Sequence, residues 1–226
     1  MPPLPERLDT VISLGPLDAF ADWFSQSGLS KVRVVALGST GREDKRESRD
    51  PEEQGVALAL SRAELGLFET GRRQAAEVTL LRPTLIYGHG RDASLTPMLA
   101  LARRWGFVVL PAGASGLRQP VHVDDVAGAI VDCLDAPAAV GRCFDLPGGE
   151  RLSFREMIAR SLARNAPGAR VVTVPRVLFR ALLAFAGRVS TLSLGSGFLE
   201  RTRRDQTAKI GPAAAAFGFQ PRLFEP

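Results

Sequence analysis

The chain is poor in the residue types that most often mark chemistry. It has one tyrosine (Tyr87), two histidines (His89 and His122), two cysteines (Cys133 and Cys143), and lysine only at 31, 45 and 209. Both cysteines lie inside apolar runs with no CxxC or Cys/His spacing. That reads as buried, reduced thiols in a cytoplasmic protein, not as a disulfide or a metal site. The opening MPPLPERLD has no apolar segment of the signal-peptide kind, so no leader is expected. The longest apolar runs, such as LFRALLAF at 178–185, are too short to span a bilayer. The net charge of +5 is carried almost wholly by arginine. The arginines are scattered and not interleaved with aromatics, which argues against a nucleic-acid partner. Their excess over lysine reads as the mark of a GC-rich, bacterial genome, and scattered guanidinium groups suit a phosphate-bearing ligand.

What is present is an ordinary globular composition: 226 residues, 45% hydrophobic and 23% charged, enough for one large domain or one and a half. Thr10–Leu14, Val32–Leu37 and Val78–Leu85 are uniformly apolar, as strands buried on both faces of a parallel sheet are. Between the first two, LDAFADWFSQSG spaces Leu17, Phe20, Ala21 and Phe24 as a helix, with Gly28 as a stop. Between the second and third, a polar loop (GREDKRESRDPEEQ) leads into VALALSRAELGLFETG. There Leu60, Ala63, Leu67 and Phe68 form one stripe and Gly71 is the expected C-cap. The alternation predicts an α/β fold with a doubly wound parallel sheet.

After Gly90 the rhythm changes. A helix is expected over Leu95–Trp105, a short strand over FVVLPAG and another over Arg118–His122. A helix capped by Asp124 or Asp125 follows, with Ala127, Ile130, Val131 and Leu134 inward. Next come a strand at Arg142–Leu146, a helix opened by the capping box Ser153/Glu156, a strand RVVTVP and a helix from Arg176 to about Arg188. VSTLSLGSGFLE reads as a loop into a last helix, and the tail as a small surface helix and an extended end. His122, flanked by apolar residues and followed by two aspartates, reads as a structural histidine. HVDD on a strand end does not converge three ligands, so no metal is expected.

Two strings, LRPTLIYGHGRD from Leu81 and LRQPVHVDDVAGAIVDCL from Leu117, resemble the late half of the NAD-dependent epimerase/dehydratase family, the extended short-chain dehydrogenase/reductases, in an atypical subgroup. That family opens with strand, glycine-rich turn and helix, in which glycines admit the cofactor pyrophosphate. No GxxGxxG or GxGxxG follows the first strand here. The resemblance therefore implies an N-terminally truncated chain: a partial Rossmann-like sheet with its first βαβ units missing, residues 1–88 being the remainder of the NAD(P)-binding domain. Residues 89–226 would form a smaller α+β substrate region with C-terminal helices.

The resemblance carries site residues over one by one. Leu14, Gly15 and Pro16 match the strand end that passes the cofactor ribose, or form a plain strand-to-helix turn. Ser39, with Thr40 beside it, matches the hydroxyl that polarises a substrate oxygen, or is a turn serine bonded to its own backbone. Arg82, Pro83 and Thr84 match the strand beside the nicotinamide. Arg118 matches an arginine that grips a substrate diphosphate, or is a surface arginine. The family's Tyr-x-x-x-Lys pair falls on Val56 and Leu60, neither of which moves a proton. The implied cofactor is NAD or NADP and the implied substrate a nucleotide sugar, with catalysis by an oxidoreductase or, without the pair, binding alone. The family's habit of pairing through sheet helices implies a homodimer that would include residues 54–71.

Overall fold

The computed structural model describes residues 8–48, 50–92, 94–189 and 198–226. The first half alternates strand and helix: β1 (Thr10–Ser13), α1 (Leu17–Gln26), β2 (Arg33–Leu37), α2 (Gly41–Arg46), α3 (Pro51–Arg73) and β3 (Glu77–Pro83). Then follow β4 (Ile86–Tyr87), α4 (Leu95–Trp105), β5 (Phe107–Pro111), β6 (Leu117–Arg118), β7 (Val121–His122) and α5 (Val123–Leu134). The chain continues through β8 (Arg142–Leu146), β9 (Leu152–Ser153), α6 (Phe154–Asn165), β10 (Arg170–Val174), α7 (Arg176–Val189), α8 (Phe198–Arg201) and α9 (Gly211–Phe217).

Four strands make one parallel sheet in the order β1-β2-β3-β8. Its two faces explain the unbroken apolar runs. Val34, Ala36, Val78 and Leu80 meet Leu17, Phe24, Ala63 and Leu67 of α1 and α3. The alternate residues Val35 and Leu81 meet Ala129, Ile130 and Cys133 of α5, with Ala213 of α9. Alternation along a strand sends neighbours to opposite faces, so a strand covered twice must be apolar throughout. Burying each such Val or Leu contributes about 1.5–3 kcal/mol. The fourth strand, β8, comes from beyond residue 88, so the layers do not follow chain order at that point.

A second cluster holds α4, β5, α6 and β9 around Leu95, Ala102, Val108, Leu110, Met157 and Leu162. Here the two strands read as FVVLP and RVVTV pair with one another in parallel.

The structure corrects several local expectations. The polar stretch after β2 is not all loop. It contains α2, and α3 begins at Pro51, where Asp50 accepts the Glu52 N–H as cap. Charged first turns are compatible with a helix because their carboxylates face the positive end of its dipole. Gly71 does not end α3, which runs to Arg73. Its place is explained by packing, since a Cβ there would lie 2.5 Å from Val78. The Arg118–His122 strand is two, broken at Pro120, which has no N–H to donate. α5 is capped by His122, whose Nδ1 accepts the Asp124 N–H at 3.2 Å, not by Asp124 or Asp125. α9 is a surface helix as expected, anchored by Ala213, which is fully buried against the main sheet. Most of VSTLSLGSGFLE lies outside the described residues.

Candidate functional site

The carboxyl ends of β2 and β3 open onto a hollow lined by Ser39, Thr40, Gly41, Asp44, Thr84, Leu85, Ser94, Arg118, Gln119 and Gln206. Ligands of open α/β sheets sit beyond these strand ends, because backbone groups and helix N-termini there are free of sheet pairing. The backbone past β2 is tied to its neighbour: Gly38 N–H donates to Leu81 at 2.8 Å and Thr40 N–H to Pro83 at 3.2 Å.

Four hydroxyls line this region, those of Ser39, Thr40, Thr84 and Ser94, and the first three differ in what they have left to give. Thr40 Oγ1 donates to the Pro83 carbonyl at 3.3 Å, and Thr84 Oγ1 to the Gln119 carbonyl at 2.5 Å. Ser39 Oγ instead accepts the Gly41 N–H at 3.1 Å. Its own proton is uncommitted among the described residues, and a hydroxyl that is already an acceptor is a better-oriented donor.

Asp44 supplies a carboxylate to the same hollow. Burial pushes its pKa above the usual aspartate value, against the Gln206 amide that donates to Oδ2 at 2.8 Å. Arg118 is only 3% exposed. Its Nη1 donates to the carbonyls of Leu117 and Arg204, both at 2.8 Å, and its Nη2 to Arg201 at 2.5 Å, while the guanidinium stacks 5.2 Å from the Phe154 ring centre. Burial lowers its pKa to about 10, against the pull of Asp44 and Asp205. Gln119 is held by the Gly148 carbonyl at 2.9 Å and by the Ala208 N–H at 3.1 Å.

Ser39, Thr40, Thr84 and Arg118 therefore share one hollow. The other residues carried over stand apart from it. Leu14, 64% exposed, and Gly15 and Pro16 end β1 at the sheet's edge. Pro83 ends β3. Arg82 turns to Glu64 of α3 (3.4 Å), which also pairs with Arg42 at 2.5 Å. Asp44, Gln119 and Gln206 escaped the sequence reading. Asp44 lay in an apparent polar loop, and no spacing links residues so far apart in the chain.

No protein-family model matches the chain. Over 138 residues it is 30% identical to the UDP-glucose 4-epimerase of Vibrio cholerae, covering 60% of this chain and 41% of that protein. Among solved structures it superposes on UDP-glucuronic acid 4-epimerase from Bacillus cereus in complex with NAD, with TM-score 0.68, 11% identity and coverage of 94% and 69%. It also superposes on RMD from Pseudomonas aeruginosa complexed with NADPH, with TM-score 0.66, 16% identity and coverage of 97% and 78%. The chain is similar to proteins of the NAD-dependent epimerase/dehydratase family. The chain spans less than half the length of the curated relatives it matches.

Against that family, α3 carries the main departure. The positions that the resemblance assigns to the Tyr-x-x-x-Lys pair hold Val56, 44% exposed, and Leu60. Tyr87 is no substitute. It is buried, its hydroxyl donates to the Leu223 carbonyl (3.4 Å) and accepts the Glu225 N–H (3.2 Å), and burial raises its pKa. His89, His122 and Asp124 bring ligand atoms within 4.8 Å of one another, because the loop carrying His89 returns to the strand end. Their geometry is that of a cap: His122 Nδ1 is taken by the Asp124 N–H, and His89 Nε2 lies 2.9 Å from Asp124 Oδ1.

Proposed function

We propose that this chain belongs to an NAD(P)-dependent oxidoreductase of the epimerase/dehydratase kind, acting on a nucleotide sugar or a similar hydroxylated substrate in the hollow at the ends of β2 and β3. The observation that carries the reading is the pairing of an uncommitted Ser39 hydroxyl proton with the Asp44 carboxylate in one hollow of a parallel sheet. NAD-bound and NADPH-bound proteins of the same fold support the cofactor.

The residues present fit the far half of a dinucleotide. Leu14 is exposed, and a Cβ on Gly15 would meet nothing within 4 Å, so the end of β1 is open, with β2 between it and Pro83 at the end of β3. The described residues contain no glycine-rich strand–turn–helix for a pyrophosphate. A bound nicotinamide would supply the hydride acceptor or donor. This chain's part is the proton. As a C–H hydride leaves a sugar carbon, its hydroxyl proton must leave too, and Ser39 would orient that oxygen while Asp44 takes the proton. Burial holds the Asp44 pKa nearer neutrality than that of a surface aspartate, which favours a group that must both accept and return a proton.

In this reading Arg118 acts by holding the 201–206 segment as a wall of the hollow, since its N–H groups are taken by main-chain carbonyls. Residues 1–88 would carry the cofactor and 89–226 the substrate side. Exposed Val56, Leu58 and Leu65 on α3 support a homodimer through that helix. Two thiols raised to about 11 and 12 by burial suit a reducing cytoplasm.

A second reading, a non-catalytic NAD(P)-binding protein of the same fold, is favoured by the apolar Val56 and Leu60. Titration with NADH and NADPH by fluorescence, followed by turnover assays with UDP-glucose and UDP-glucuronate, separates the two. Turnover lost in Asp44→Asn with coenzyme binding kept supports the oxidoreductase. Coenzyme binding with no turnover in the parent chain supports the second reading.

A further inference from the structure

We infer that the side of the molecule built from α4, β5, β10 and α7 docks on a lipid surface rich in anionic headgroups. This goes beyond the catalytic reading and stands independently of it.

The first observation is a patch of large exposed apolar side chains. Trp105 is 55% exposed, Phe107 39%, Val172 41%, Val177 82%, Leu178 50% and Leu182 43%. The elements that carry the patch are neighbours in the fold. The Trp105 and Phe107 rings are 6.4 Å apart. β5 pairs with β10 so that Phe107 stands opposite Arg170 and Val109 opposite Val172, which puts Phe107 and Val172 on one sheet face. α7 leaves β10 through Pro175 and packs back on β5, carrying Leu178 and Leu182 on exposed positions one helical turn apart, with Val177 exposed next to Leu178. Single exposed apolar residues need no explanation, but a connected group of this kind marks a contact surface.

The second observation concerns charge. The arginines of the chain are scattered, but its carboxylates are not: residues 93–123 and 157–199 contain no aspartate or glutamate. These two stretches build the face in question. At the edge of the second stretch Arg160 is paired with Glu150 and Glu156. Beyond it Arg170, Arg176 and Arg180 have no carboxylate partner among the described residues, and all three are exposed. Arg103 and Arg104 flank Trp105.

Together these describe a helix and a sheet edge with apolar residues outward, a tryptophan at the boundary and charge of one sign only. A basic rim around apolar side chains is complementary to an anionic surface. A bilayer surface asks for arginines at headgroup level and apolar side chains sunk about 5–10 Å into the acyl boundary. Arginine stems can lie along the apolar layer with their heads in the phosphate layer.

The test uses the full chain and vesicles of phosphatidylcholine with about a quarter phosphatidylglycerol, against pure phosphatidylcholine. Co-sedimentation with the anionic vesicles only, weakened by added salt, is expected, along with a blue shift of tryptophan emission lost in Trp105→Phe. Arg176→Glu with Arg180→Glu, and separately Val177→Asp with Leu178→Asp, should each lower partitioning at least about tenfold. All four positions are exposed, so circular dichroism should stay that of the parent. Absence of binding at low salt, or equal binding to neutral vesicles, overturns the inference. So does self-association of the parent chain that Val177→Asp with Leu178→Asp abolishes, because that face would then be covered by a second copy.

Discussion

Ser39 Oγ accepts the backbone N–H of Gly41 at 3.1 Å, which leaves the hydroxyl proton free to point into the hollow. If that proton orients a substrate oxygen, Ser39→Ala should lower kcat with a nucleotide sugar by about 10²-fold, the cost of one lost oxyanion-type donor. Coenzyme affinity should stay within about twofold of the parent. Ser39→Thr, which keeps the hydroxyl, should recover most of the rate. Unchanged turnover in Ser39→Ala would remove the hollow from consideration as the reaction site.

Arg118 distinguishes a wall from a grip. Its guanidinium serves three main-chain carbonyls in a buried position. Arg118→Ala should therefore destabilise the chain by about 3 kcal/mol in urea unfolding, because those acceptors lose their partner without gaining water. Arg118→Lys should recover little, lacking the planar fork. An arginine that only holds a diphosphate would raise KM and leave stability alone.

Asp92 gives a pH signature. Burial alone would raise its pKa, but donors from the Thr96 hydroxyl and from the N–H groups of Thr96, Leu95 and Ser94 outweigh it, and the value falls below the ordinary 3.8. A depressed carboxyl stabilises the fold above its unfolded pKa and loses that contribution as pH falls through the folded one. Asp92→Ala should cost about 1 kcal/mol at pH 7, as lost helix caps do. The gap to the parent should close below pH 3.8.

Cys133 and Cys143 should be inert in the folded chain. Burial pushes their thiols to about 11 and about 12, so almost no thiolate exists at pH 8. A disulfide-exchange reagent at that pH should label neither thiol natively and both in denaturant. Fast native labelling of either would contradict this packing.

Gly148 is a site of close approach. A Cβ there would stand 1.8 Å from the Pro120 carbonyl oxygen, and its backbone N–H bonds Gln119 at 3.0 Å. Gly148→Ala should cost more than about 3 kcal/mol, since neither backbone can yield without breaking the Gln119 contacts that wall the hollow. Thermal unfolding reads this directly.

The main sheet was legible because burial on two faces leaves no choice of residue: VRVVAL and VTLLRP could be little else. The capping box at Ser153 was legible for a similar local reason, and the structure shows Ser153 Oγ accepting the Glu156 N–H at 3.1 Å. α2 and the first turn of α3 were not. Their sequence is as polar as a loop, and helical order there comes from packing and from the Asp50 cap. The tail was legible as a small surface helix and an extended end, but its anchor was not, because alanines give no amphipathic signal and Ala213 fits the main core through its small size.

What the sequence determined by itself is the class of the fold and the identity of its strand ends, because two-sided burial and turn chemistry are local constraints. It also placed Ser39, Thr40, Thr84 and Arg118 as residues of interest, through the family resemblance. Only the tertiary structure decided that these four meet in one hollow, that Asp44, Gln119 and Gln206 join them, and that Arg118 is committed to the backbone. Which donors remain free depends on contacts between residues far apart in the chain, and no periodicity encodes that balance.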